Sequence, residues 1–196
     1  MRSFRSLVVA AAMVGIAGVA MAEEPVVMYG YAYDLSSGDY LYTERHEQRL
    51  VGERWMGGTI TYYDINGEQI GFKEMDFASN PYIPVYKLEL SSGYVEGISE
   101  VSDEVVMFKQ DGAGASRQSK RVAVRDDMAA DSGFHTRIRD SLDEILAGQT
   151  VNFRFAVAGN LDTFRFRVRQ TGETRFEGRD AVTLRVEAAT LLRLVA

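Results

Sequence analysis

The chain has no cysteine, only two histidines and fewer basic than acidic residues, and beyond its first 22 positions no apolar run approaches the length of a membrane span. Without cysteine there are no disulfides and no thiol nucleophile, and no lipoprotein anchor can form on an N-terminal thiol. At 196 residues a soluble domain buries enough core to fold with neither a disulfide nor a structural metal. With His46 and His135 as the whole histidine supply, a metal site needs both plus a carboxylate such as Glu44, and no metal is expected. The formal charge of −6, from 22 Lys and Arg against 28 Asp and Glu, argues against nucleic acid, whose phosphates demand a basic footprint.

Catalytic motifs are missing as well. Gly112-Ala113-Gly114-Ala115-Ser116-Arg117 begins like a dinucleotide fingerprint but carries Arg117 where the third glycine belongs, so no cofactor is expected. Asp131-Ser132-Gly133 spells the aspartic-protease triplet, yet it leads into a helical pattern, where Asp131 or Ser132 serves as a cap. His46-Glu47 resembles a zincin start, but Leu50 stands where the second histidine is needed. No serine sits in a nucleophile elbow.

What is present begins with Arg2 and Arg5, then an uncharged apolar stretch from Leu7 to Val19, then Ala20-Met21-Ala22. As a helix those apolar positions rise only about 20 Å, too short for a bilayer, and the order is that of a signal peptide cleaved near Ala22. Residues 1–22 are therefore expected to leave a single β-rich domain over 23–196, periplasmic or secreted, with no stable membrane insertion. Losing two arginines moves the charge to −8. It is unevenly spread: residues 23–110 hold 6 Lys and Arg against 16 Asp and Glu, and residues 111–196 hold 14 against 12.

The mature region alternates apolar and polar residues with the period of two that marks strands. The pattern predicts strands near 26–34, 39–47, 49–56, 58–64, 68–76, 85–90, 93–99, 103–109, 120–126, 150–157, 162–170 and 181–194. Asn66-Gly67 reads as a two-residue type I′ turn, setting Tyr63 against Ile70, Thr61 against Phe72 and Tyr62 against Gly71. The small-residue loop 110–119 is expected to be flexible. Glycines at 30, 52, 71 and 97 are expected to bend the strands, curling an antiparallel meander into a barrel or half-barrel.

One stretch keeps a helical period. Phe134, Ile138, Leu142, Ile145 and Leu146 form one stripe, predicting a single amphipathic helix of about four turns that ends at Gly148 and packs on a sheet. The following strands place Phe153, Phe155, Phe164 and Phe166 toward the core. Arg154, Arg165, Arg167 and Arg169 form a ladder on the other side, suited to an anionic partner. Tyr40, Tyr42, Glu44 and His46 share one strand face as a candidate acid–base row. The chain stops on apolar residues, so Leu191–Ala196 are expected to pair with another strand.

On Tyr42-Thr43-Glu44-Arg45-His46, Tyr62-Tyr63-Asp64-Ile65-Asn66-Gly67, Gly93-Tyr94-Val95-Glu96-Gly97 and Asp131-Ser132-Gly133-Phe134, the chain resembles an uncharacterised family of secreted Gram-negative bacterial proteins. In architecture alone it is similar to periplasmic lipoprotein carriers of the LolA/LolB type. The expectation is a non-catalytic carrier holding an acyl chain, lipid or other apolar molecule against Phe134, Ile138, Leu142, Phe153, Phe155, Phe164 and Phe166. The rival readings are a hydrolase or isomerase using Tyr42, Glu44 and His46, and a passive module that binds an envelope protein. A carrier needs an apolar cavity of several hundred Å³, on the order of 300 or more.

Overall fold

The structure is a computed structural model and describes residues 25–189 except Leu35 and Glu53. The expected signal peptide, the end of the strand predicted over 181–194 and the pairing expected of Leu191–Ala196 lie outside these residues.

The described residues are 62% strand and 10% helix, a mainly β chain as the alternation implies. Eight strands run in sequence: β1 Val26–Tyr33, β2 Tyr40–Val51, β3 Arg54–Tyr63, β4 Gln69–Asp76, β5 Val85–Leu90, β6 Tyr94–Val101, β7 Glu104–Asp111 and β8 Gln118–Ala123. Each pairs antiparallel with the next, and the sheet ends at β1 and β8, which do not meet. Of barrel and half-barrel, the closed form is therefore excluded. After β9 Met128–Ala130 come helices α1 Gly133–Asp140 and α2 Leu142–Leu146, then β10 Val151–Val157, a 3₁₀ turn Ala158–Asn160, β11 Asp162–Phe176 and β12 Arg179–Ala188. These strands form a second sheet, ordered β12-β11-β10-β9, in which β9 and β10 are parallel and bridged by the two helices.

Three expectations need correction. The strands predicted at 39–47, 49–56 and 58–64 are two long ones that turn at Gly52. The gap expected at Gly57 is absent: Gly57 and Gly58 both lie in β3 at φ +145° and +150°, and a Cβ on Gly58 would lie 2.0 Å from the Glu47 carbonyl oxygen. Only residues without side chains allow that approach.

The β3–β4 turn is a three-residue loop rather than type I′. Gly67 N–H donates to the Asp64 carbonyl and Gly67 has φ +80°, while the Asp64 carboxylate accepts from the N–H groups of Asn66 and Glu68. That carboxylate favours an ordinary type I turn closed by a left-handed glycine. Tyr63 then pairs with Gln69, not Ile70, whereas Thr61 opposite Phe72 and Tyr62 opposite Gly71 stand as expected.

The single long helix is two short ones. Ser141 leaves the helical region at ψ 9°, in keeping with the tendency of serine to interrupt helix interiors. Gly148 closes the segment at φ +84°, the left-handed conformation expected of it. Ser132 makes no side-chain cap bond, and Asp131 is occupied otherwise.

The main core lies between the sheets, where Ile60, Met75, Phe77, Ile83, Ile98, Val105 and Met107 meet Met128, Ala130, Ala156 and Ala158. A smaller cluster of Ala129, Ile145, Phe153 and Val168 joins the helices to the opposite face of the second sheet.

Candidate functional site

The phenylalanines of the second sheet fall together because β10 and β11 pair in register: Phe153 lies opposite Phe166 and Phe155 opposite Phe164. Alternation sends all four to one face. Phe134 arrives from α1, its ring 6.1 Å from that of Phe155, and the Phe153 and Phe166 rings stack at 5.9 Å. Phe155 meets the Phe166 edge at 5.8 Å. Phe134, Phe153, Phe155, Phe166 and Val186 line an open pocket of about 140 Å³. Every lining residue is apolar, and Val186 remains 41% exposed. Ile138 packs into the cluster beneath, while Phe164 and Leu142 are half-buried and do not line the pocket. The sequence missed Val186, whose pairing with Val168 places it on the same face.

The pocket is smaller than the several hundred Å³ expected of a carrier. It is close to the roughly 150 Å³ apolar cavity that admits a benzene-sized molecule. A group entering it would be one ring or the end of a chain.

The tyrosine and histidine row of β2 is also assembled. Glu44 Oε2 and His46 Nε2 are 2.8 Å apart, Tyr42 meets Tyr62 edge-on at 5.8 Å, and the Tyr40 hydroxyl lies 2.8 Å from Thr43 Oγ1. His46 Nδ1 is buried without a hydrogen-bond partner among the described residues. Behind the row sits a buried ion pair absent from the sequence reading: Lys73 Nζ donates to Asp131 Oδ2 at 2.6 Å. The ammonium lies 5.8 Å from the centroid of the Tyr62 ring and 5.5 Å from that of Tyr86. Desolvation disfavours the charge on Lys73, but Asp131 and Tyr62 outweigh it and its pKa is raised. Burial pushes Tyr62 up to about 12 despite the pull of Lys73, and pushes Tyr86 well above the ordinary range with Asp131 and Glu96 adding to it.

Asp131 reaches Lys73 from a left-handed position at φ 44°, a conformation that aspartate tolerates better than most residues. Its other oxygen accepts from the backbone N–H and the hydroxyl of Ser132. Further along, Tyr94 and Tyr86 donate to the two oxygens of Glu96 at 2.6 and 3.4 Å. His135, whose ring lies 4.0 Å from that of Phe134, has its pKa lowered first by loss of solvent around the ring and then by nearby His46. Among the described residues no group of three or more metal-binding side chains could hold an ion. Tyr40, Tyr42, Glu44 and His46 line neither of two larger grooves, of about 590 and 580 Å³, which are bordered by charged residues.

The arginines lie on the face opposite the phenylalanines, with Arg154 directly across from Arg165. Arg167 bonds Glu187 at 3.0 Å, Arg169 approaches the same carboxylate at 3.9 Å, and Arg154 is mostly buried, 3.9 Å from Asp127. The ladder is thus partly neutralised within the sheet. Among the described residues no helix is long and apolar enough to cross a membrane. Comparison with protein-family models, curated proteins and solved structures finds no match to this chain.

Proposed function

We propose that the chain is an exported, periplasmic binding protein that carries no catalysis and holds the apolar end of a ligand against the phenylalanines of its second sheet. The observation behind this reading is the pocket of Phe134, Phe153, Phe155, Phe166 and Val186, which is open and apolar in every lining residue. Apolar surface left to water at a concave site is stabilised by whatever covers it. Its size of about 140 Å³ favours an aromatic ring or the terminal carbons of an acyl chain over an enclosed lipid. The start of the chain, with its arginines, apolar stretch and Ala20-Met21-Ala22, supports export.

A chain-length series of fatty acids tests the reading by displacement of a fluorescent probe. Affinity should rise by about 0.8 kcal/mol per methylene over the first carbons and level off once the pocket is full. Val186→Arg, at the rim, should weaken binding at least tenfold with an unchanged circular dichroism spectrum. No binding at any length, or equal binding by the variant, refutes the site.

A further inference from the structure

Among the described residues three long strands have an unpaired edge, and these edges are protected unequally. β8 carries Lys120 and Arg121, and β12 carries Arg179, Asp180, Arg185 and Glu187. Such charges deter pairing with another chain. β1, Val-Val-Met-Tyr-Gly-Tyr-Ala-Tyr, has none, and among the described residues no strand pairs with its outer edge. Its side chains are exposed on both faces, Val26 and Met28 on one and Tyr29, Tyr31 and Tyr33 on the other.

We propose that β1 pairs antiparallel with the β1 of a second copy of this chain, forming a weak dimer about a two-fold axis at Gly30. The first half of the molecule is strongly acidic, with 16 Asp and Glu against 6 Lys and Arg over residues 23–110, so two copies repel over most approaches. β1 itself carries no charge and is the least repulsive approach: Arg45 behind it is paired with Glu47 at 2.9 Å, Glu44 is hydrogen-bonded to His46 at 2.8 Å, and Asp34, just past its end, accepts from the N–H groups of Ser36 and Ser37.

The sequence is also self-complementary about Gly30. Tyr29 falls opposite the copy's Tyr31, and Met28 opposite its Ala32, a large residue against a small one. Three tyrosines exposed by 57, 63 and 56% offer roughly 350 Å² per copy at about 200 Å² each. Complete burial of these with the valines and Met28 sets an upper bound of about 1,000 Å² over the two copies, the lower limit of a specific interface. The dimer is therefore concentration-dependent.

The absence of cysteine makes a clean test. In the full chain, Gly30→Cys can form only intermolecular disulfides, and opposite strand residues lie about 4.5–5.5 Å apart, within disulfide reach. Oxidation should convert it to covalent dimer, while Ile65→Cys in the exposed β3–β4 turn stays monomeric under the same conditions. Sedimentation equilibrium of the unaltered chain should show a reversible dimer whose dissociation constant rises at least tenfold in Tyr31→Lys, and likewise in Val27→Lys, with circular dichroism unchanged. A wild-type monomer at every soluble concentration overturns the proposal. So does a dimer that both lysine variants leave intact, or one appearing only after deletion of residues 190–196, which would mean the chain's own tail holds the edge.

Discussion

On the first sheet the face toward the interior carries Tyr62, Lys73 and Tyr86, each provided with a partner in the fold: Lys73 has Asp131 and Tyr62, and Tyr86 has Glu96. On the second sheet the face turned to the helices carries the pocket, lined only by four phenylalanines and Val186, which is 41% exposed. The contrast separates groups that serve the fold from groups left for something else. Buried polar side chains that satisfy one another hold strands and helices in place, whereas an apolar face with open space above it gains from a visitor.

Breaking that contrast on the polar side should have the largest effect. Lys73→Ala leaves Asp131 buried without its cation and should cost about 3–5 kcal/mol in denaturant unfolding, with much of the loss recovered in the double variant Lys73→Met, Asp131→Asn. On the apolar side, Phe155→Ala touches a half-buried ring and should cost less, about 1–2 kcal/mol, while abolishing fatty-acid binding. An equal loss of stability at both positions would erase the distinction between the sheets.

A pH titration sharpens it further. His135 has a folded pKa below the ordinary 6.5, so above that value both states are neutral and it contributes nothing. As pH falls below 6.5 the unfolded chain takes up the proton first, and stability declines until the folded form is protonated too. His135→Gln should therefore flatten the acid side of the stability profile relative to wild type, as read by thermal melts from pH 7.5 down to about 4.5. The smallest effect belongs to the arginine face: Arg167→Ala loses a half-exposed pair with Glu187 and should change stability by about 0–1 kcal/mol.

The strands were legible because a period of two survives almost the whole length, and the phenylalanine cluster because β10 and β11 alternate without interruption. Errors arose where backbone geometry overrides pattern. The gap expected at Gly57 is continuous strand where glycine serves close approach of two strands, and the Asp64 carboxylate decides the turn type that Asn66-Gly67 alone suggests otherwise. Lys73 was half legible: it stands two residues from Gly71 on the Tyr62 face, so its inward direction follows from the alternation. Its partner, 58 residues away, left no local mark, and the capping pattern at Asp131 pointed elsewhere. The helix stripe was correct for Phe134, Ile138 and Ile145, which pack with the phenylalanines, but not for the exposed Leu146, and it could not reveal the interruption at Ser141.

The order of strands also sets a timetable. Every strand of the first sheet pairs with its neighbour in sequence, so each addition closes only a short loop, and closure entropy grows with loop length. The second sheet cannot begin this way, because β9 finds its parallel partner only after both helices have been made. A chain growing from its N-terminus can thus complete hairpin after hairpin of the first sheet while the groups that cover its inner face are still absent. β1, with its uncharged edge, is the strand that waits longest in that unfinished state, and the conditions of synthesis rather than the finished fold set how long its tyrosines are open to a neighbour.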